Sequence, residues 1–408
     1  MRRSLAVLLA FMAGAVAHAA GPYPTLTGIS AAADDASVAG KNPAGMTRFD
    51  SRATRFELMG FFSDNTWEGR IGDTGSRFQS EDSGTTILPS GSMVKPLSES
   101  WWFGWTVLGA GFSDDYEDGW PGRYLIEEYD LLYLSAFPSI ATKLTDKLSV
   151  AGSLALTYAS YNQEKAVANL DPGAGDGTLV IDTDGVTLGY GLSALYELTE
   201  RTRFGIIYRS EMDAELDGKA QFSDLSPRTE ALLDAAGLLG ARIDVTSRTP
   251  QAVTAGLYHE FHDTGALTLD LVWSDFSRFK LSEIYVNGNQ LVESNPMYDD
   301  ILAISASYSR PVANRLRLGF GAFYADDMVE DENRTLTLRL DSMWSAGVGV
   351  EWQWTEKRAL SATLNYLELG DAPVASPVIL GIGSVSGRFS ERQTIYLLIG
   401  MSLGSKAK

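Results

Sequence analysis

The sequence predicts an all-β fold: a transmembrane antiparallel β-barrel of about 14 strands, with a short N-terminal hatch in its lumen. Three observations predict it. Apolar residues alternate with small or polar ones along almost every segment after Asp50. The connections between those segments alternate short and long, and the chain opens with an export leader.

The leader comes first. Arg2 and Arg3 start the chain, an apolar run from Leu5 to Val16 follows, and Ala17-His18-Ala19 forms an A-x-A cleavage signal. That order marks a secretory signal peptide over residues 1–19. The run falls short of the roughly 20 apolar residues a spanning helix needs. The chain has no cysteine, which excludes disulfides and thiolate metal sites. It carries 52 acidic residues against 33 basic ones, a formal net charge of −19 at pH 7. Such a surface is well solvated and repels nucleic acid. No Pro/Gly/Ser linker divides the chain, and no later stretch reaches the roughly 18 consecutive apolar residues of a membrane helix.

Residues 20–50 precede the first strand and carry no strand pattern. In DDASVAGKNPAGMTRFD, from Asp34 to Asp50, the small residues suit close packing, and Pro43 interrupts regular structure. A segment so placed is expected to cork the lumen.

The strands follow. In RLRLGFGAFY, Leu316, Leu318, Phe320, Ala322 and Tyr324 share one face, while Arg315, Arg317, Gly319, Gly321 and Phe323 share the other. MWSAGVGVEWQW sets Trp344, Ala346, Val348, Val350, Trp352 and Trp354 against Ser345, Gly347, Gly349, Glu351 and Gln353. KLSVAGSLALTY and ALSATLNY repeat the pattern. Side chains alternate faces along a strand, so each segment has one apolar face and one small or polar face. A soluble sandwich shares that alternation. Aromatics at the ends of the apolar rows, such as Trp344 and the pair Trp352 and Trp354, fit girdles at two membrane interfaces instead.

Short connections (PLSES, KLTDK, ELTER, HDTGA, RPVANR, TEKR) alternate with long ones near residues 65–80, 113–123, 167–180, 222–248, 284–298, 326–338 and 370–388. The predicted strands are 52–64, 84–95, 99–112, 124–142, 147–166, 179–198, 201–221, 243–260, 266–283, 299–311, 314–326, 339–355, 358–370 and 389–403. An even number returns both barrel ends to the periplasmic side, and closure is obligatory because an open edge leaves backbone groups unpaired in lipid. The barrel is thus expected over residues 51–403, with a tail at 404–408.

AADDASVAGKNPAGMTRFD resembles the hatch of the outer-membrane long-chain fatty-acid and aromatic-hydrocarbon transporters, the FadL/TodX family, with its A-D-D-A run and following N-P-A. FPSIATKLTDKLSVAGSLALTYA resembles that family's fourth and fifth strands, and GIIYRSEMDAELDGKAQF its seventh. LVWSDFSRF and ENRTLTLRLDSMWSAGVGVEW resemble later ones.

The resemblance implies passive transport of hydrophobic small molecules, fatty acids or aromatic hydrocarbons, across the outer membrane. Ligand would land on an apolar extracellular groove and move to a pocket in the lumen. It would leave sideways into the bilayer at an inward kink in strand three, against which N-P-A rests. By position, Asn42, Pro43 and Ala44 are the hatch contact. The kinked strand is WWFGWTVLGAGF, where Gly109 and Gly111 permit a break in pairing.

The chain departs from the family twice. Only AGPYPTLTGIS stands ahead of A-D-D-A, where the family has a longer glycine- and aromatic-rich start, and Leu403 fills the aromatic position that commonly ends a barrel. The implied partners are the hydrophobic ligand, outer-membrane lipid and lipopolysaccharide, and the barrel-assembly machinery, for a monomer with no cofactor.

Other residues carry their own chemistry. LSPRTEALLDAAGLLGAR predicts a loop helix with Ser226 as N-cap, Pro227 at its first position and Gly237 or Gly240 at its end. Its stripe of Leu232, Leu233, Ala236 and Leu239 either packs on another loop or takes hydrophobic ligand, opposite Trp120, Tyr124, Leu125 and Ile126. A carboxylate ligand would need a desolvated cation. Arg209, inward because Phe204, Ile206 and Tyr208 face out, and Lys280 on strand nine are placed for it, although a lumen ion pair would use Arg209 equally well. His259 and His262 fall at a periplasmic turn and give a Ser/His/carboxylate hydrolase little support, so no enzyme is expected. Asp114, Asp115, Glu117 and Asp118 lack EF-hand spacing and read as a solvated loop. The alternative function is an open diffusion porin for polar or cationic solutes.

Overall fold

The computed structural model describes residues 22–71, 76–116, 120, 122–262, 264–293, 298–331, 333–334, 341–379, 383–404 and 407; the expected signal peptide at 1–19 lies outside them. Six long strands come first: β1 (Ala53–Ile71), β2 (Ser76–Pro96), β3 (Trp101–Asp115), β4 (Glu128–Lys143), β5 (Leu148–Val167) and β6 (Gly177–Thr199). Three interrupted staves follow, each in two pieces: β7 (Thr202–Arg209) with β8 (Met212–Ser223), β9 (Arg242–Thr249) with β10 (Ala252–Phe261), and β11 (Gly265–Ser274) with β12 (Lys280–Val286). β13 (Asn289–Glu293) folds back on β12. The wall then continues through β14 (Ile301–Ala313), β15 (Leu316–Ala325), β16 (Met343–Thr355), β17 (Arg358–Glu368) extended by β18 (Ala372–Ile379), and β19 (Gly383–Gly404). Every stave pairs antiparallel with its neighbours, and β1 closes on β19 from Ala53 opposite Gly404 to Ile71 opposite Val385. The result is a closed barrel of fourteen staves.

The stave count and order agree with the sequence pattern, and three expected loops do not. Residues 65–71 and 76–80 continue the β1–β2 ladder, which pairs as far as Ile71 opposite Ser76. Residues 284–298 include the β12–β13 hairpin on Asn287-Gly288, both at positive φ (50° and 78°), the backbone a two-residue type I′ turn requires. Residues 372–379 form β18. These segments rise above the lipid, where neither face needs to be greasy, so the apolar alternation fades while the ladder persists.

Outward side chains at membrane depth are large, apolar and exposed, among them Phe56, Leu58, Leu154, Leu156, Val186, Leu188, Ile304 and Ile399. Trp344, Trp352 and Trp354 at the two ends of β16 are also exposed, as a girdle places them.

The inward parity has two storeys. Toward the periplasm it carries small and polar residues, such as Ser305, Ser307 and Ser309 on β14 and Ser361, Thr363 and Asn365 on β17. Toward the outside the same strands carry Ile301 and Ala303, then Leu367, all buried in one apolar cluster with Phe61, Leu108, Leu131, Phe137, Ile207 and Phe323.

Candidate functional site

The lower storey is filled by the chain's own N-terminal segment. Residues 22–49 are buried throughout except for Asp34 and Asp35, which are half-buried. Two 3-10 turns explain their lack of strand pattern. Asp35 caps Ala36–Ala39, accepting from Ser37 N at 2.9 Å and Ser37 Oγ at 2.6 Å. Asn42 caps Pro43–Arg48 by accepting from Ala44 N at 3.2 Å, and Pro43 sits at the helix start where its missing N–H costs nothing.

A segment outside the sheet must find partners for its backbone elsewhere, and the wall supplies them. Asp270 on β11 accepts from Ser30 N at 3.0 Å, Ile29 N at 3.2 Å and the Ser30 hydroxyl. Asn365 accepts from Thr25 N at 2.7 Å, and Ser305 Oγ donates to Leu26 O at 2.7 Å. Arg203 donates to Ala31 O at 3.0 Å and to Ala32 O, and lies over the Tyr258 ring at 3.8 Å. Trp102 Nε1 donates to Phe49 O at 2.8 Å.

Charge adds to this. Arg55 pairs with Asp35 at 3.2 Å and Glu57 at 2.8 Å, Arg203 with Asp34 at 3.2 Å, and Arg48 with Glu197. Burial opposes ionisation of Asp35, but Arg55, Lys41 and the Ser37 hydrogen bonds outweigh it and hold the carboxyl below its usual range. Glycines on the inward parity let the hatch backbone approach. A Cβ on Gly205 would meet Ser30 O, and one on Gly319 or Gly349 would meet Pro22 O.

The N-P-A residues find their wall hydrogen-bond partners on β6. Asn42 Nδ2 donates to Ser30 O at 2.6 Å and Ala194 O at 3.1 Å, and Ala44 N donates to Ser193 Oγ at 3.2 Å, so Asn42 and Ala44 bond to β6. Strand β3 meets the hatch through Gly104, where a Cβ would touch Met46 and Ala39.

Above the hatch, the wall between β2 and β3 is incomplete. Their ladder runs from Pro96 opposite Trp102 to Ser90 opposite Leu108, whereas β1–β2 and β3–β4 pair on to Ile71–Ser76 and Asp115–Glu128. Pro89, next above the last pair, has no N–H to donate. Gly109 lies at the break, where its Cβ would stand 3.5 Å from Leu88 Cδ2 and Leu134 Cδ2, so Leu88 leans into the gap. A Cβ on Gly111 would strike Leu131 O of β4.

Arg209, half-buried, donates to Gly40 O at 2.8 Å and Lys41 O at 3.1 Å, which commits it to the hatch. The Lys280 side chain lies outside the described residues, as do Glu117 and Asp118. Trp120 is fully buried, stacked on Tyr116 at 4.2 Å and edge-on to Trp67 at 5.8 Å. Tyr124 instead bonds Asp176 at 2.8 Å.

The loop helix forms over Pro227–Ala235 after Ser226, and Gly237 at positive φ ends it. The nearby Asp171 accepts from Arg228 N at 3.0 Å. On this helix Leu232 is 57 % exposed and Ala236 is exposed, while Leu233 and, just beyond the helix, Leu239 are half-buried. Asp270, Asn365 and the inward glycines escaped the sequence reading. Glycine recurring on the inward parity of adjacent strands was the available signal.

A closed barrel corked from the periplasmic side is the architecture of an outer-membrane transport protein. The family model described as "Outer membrane protein transport protein (OMPP1/FadL/TodX)" matches residues 7–392, and the chain belongs to that family. It is 23 % identical over 377 residues to a long-chain fatty acid transport protein of Escherichia coli O6:H1, covering 84 % of this chain and 83 % of the relative. A 47 kDa outer membrane protein of Pasteurella multocida is 27 % identical over 201 residues, 47 % of this chain and 46 % of the relative.

Among solved structures, a Pseudomonas aeruginosa FadL homologue superposes with a TM-score of 0.82 at 17 % identity, covering 94 % of this chain and 100 % of the homologue. The toluene transporter TodX of P. putida superposes at 0.64 with 16 % identity, covering 95 % and 99 %. Both likenesses concern the fold.

Proposed function

We propose that this protein passively carries hydrophobic small molecules across the outer membrane, with long-chain fatty acids or aromatic hydrocarbons as the substrate class, and that it has no catalytic role. The observation that carries the reading is the change of the inward face from hydroxyls and glycines around the hatch to aliphatic and aromatic side chains above it. A porin keeps its interior polar for water and ions. This upper lumen offers burial of apolar surface, worth about 25 cal/mol per Å².

Exit is sideways, between β2 and β3. The early end of their ladder, Pro89 beside it and Leu88 leaning across it support this route, which lies above the hatch and leaves the polar lower storey shut. The names of the relatives support the substrate class. Uptake of labelled palmitate and of toluene by cells with and without the protein tests it, beside single-channel recording of the purified protein. Uptake of either probe with little conductance is expected. A large, steady ohmic current without uptake would point to an open porin.

A further inference from the structure

Where the wall closes on itself, the apolar storey carries a polar band. β1 sends Ser63, Asn65 and Trp67 inward, and β19 sends Thr394, which stands opposite Ser63 in the ladder. All four side chains are at most 3 % exposed. Ser63 Oγ, both amide atoms of Asn65, Trp67 Nε1 and Thr394 Oγ1 have no hydrogen-bond partner among the described residues. Roughly nine in ten buried polar groups are paired, so five such atoms on one seam ask for an occupant.

The ladder is irregular at the same place. Pairing steps from Asp64 with Gln393 to Thr66 with Ser390, which sets Glu391 and Arg392 against Asn65 alone and so makes a bulge on β19 opposite Asn65, and bulges re-aim side chains beside functional sites. Arg392, 1 % exposed, lies two residues from Thr394 and donates Nη1 to Leu369 O at 3.0 Å. Aromatics flank the band: Phe61 stacks on Tyr396 with centroids 5.5 Å apart, and Trp67 stands opposite Phe389.

We propose that this band receives the polar head of the ligand, a carboxyl group, while the alkyl chain lies along the apolar storey. The proposal rests on the hydrophobic-ligand reading and adds the chemistry of the head. The side chains decide that chemistry. Indole and guanidinium groups only donate, the hydroxyls and the amide nitrogen donate as well, and Asn65 Oδ1 alone of the five must accept, so donors outnumber acceptors and the group received is rich in acceptor oxygen. Arg392, whose Nη1 is held by Leu369 O and Gly370 O, adds its positive charge two residues from Thr394, while Arg209 lies on the hatch carbonyls. Toluene has no acceptor oxygen and gains nothing here.

Binding of palmitate and of toluene to the whole protein in lipid nanodiscs tests the site. Asn65→Leu and Thr394→Val delete the polar atoms with little change of volume. Each is expected to weaken palmitate at least about tenfold, as loss of a hydrogen bond to a charged group does, and to leave toluene within about twofold. Thr394→Val is also expected to keep or raise the unfolding temperature, since it removes an unpaired buried hydroxyl. Unchanged palmitate affinity in both variants would overturn the site. Equal loss of both probes would overturn it too, because that marks a packing defect. Failure of the unaltered protein to bind either probe would instead bring down the hydrophobic-ligand reading, and the site with it.

Discussion

The lower and upper halves of the lumen are made by the same strands and differ only in what the inward parity carries. On β14 it passes from Ser309, Ser307 and Ser305 to Ala303 and Ile301; on β17, from Ser361, Thr363 and Asn365 to Leu367. The lower half holds a peptide without a ladder, whose backbone N–H and C=O groups need partners. Asp270, Asn365, Ser305 and Arg203 provide them. The upper half is built for a guest that asks for few. Polarity in the lower half therefore marks where the chain receives itself, and the greasy upper half, with the polar band at the β1–β19 seam, is where it is proposed to receive something else.

The contrast breaks most completely if the lower occupant is removed. Deleting residues 22–48 is expected to leave a water-filled lower lumen, giving a steady ohmic current at least about tenfold above that of the parent in single-channel recordings; the closed barrel itself should still form. Removing one partner weakens the cork without removing it. Asp270→Ala leaves the N–H groups of Ser30 and Ile29 unpaired, at about 1–3 kcal/mol each, and should raise protease cleavage of the hatch and flickering of the current.

A steric change comes next. Gly205→Val drives side-chain atoms into Ser30 O and is expected to cost about 1–3 kcal/mol. Gly152→Ala, whose Cβ meets only Gly191 O at 4.0 Å, should stay within about 0.5 kcal/mol in the same thermal unfolding assay. The smallest effect is expected at the extracellular helix. Leu232→Ser changes an exposed side chain and should shift stability by less than about 0.5 kcal/mol; if it weakens uptake at the same time, the helix contributes to ligand capture.

The barrel was legible because lipid imposes a strict period of two on the outward face, as in Leu316, Leu318 and Phe320, and because periplasmic turns are short. The hatch was legible by contrast, as a segment that breaks the pattern. The inward parity was harder. Ser305 and Gly319 look alike in sequence whether they face water or a peptide, so the hatch's true partners stayed hidden. Arg209 showed its direction but not its partner, since whether a guanidinium meets a carboxylate or a pair of backbone carbonyls depends on contacts far apart in the chain. The rise of β1 and β2 beyond the membrane left no apolar trace, and Asn287-Gly288, an available signal for the β12–β13 hairpin, went unread inside an expected loop. Pro89 inside a strand was likewise an available signal for a break in the ladder that went unread.

The central claim, that ligand held in the apolar storey leaves through the wall between β2 and β3, can be tested by sealing that wall. The chain has no cysteine, and continuing the register from Ser90 opposite Leu108 would set Leu88 against Ala110, both inward and buried. In a Leu88→Cys, Ala110→Cys double variant, palmitate uptake should fall to background once the disulfide has formed and return when it is reduced. Equal uptake in the oxidised and reduced protein, with the bond verified by mass spectrometry, would contradict the account.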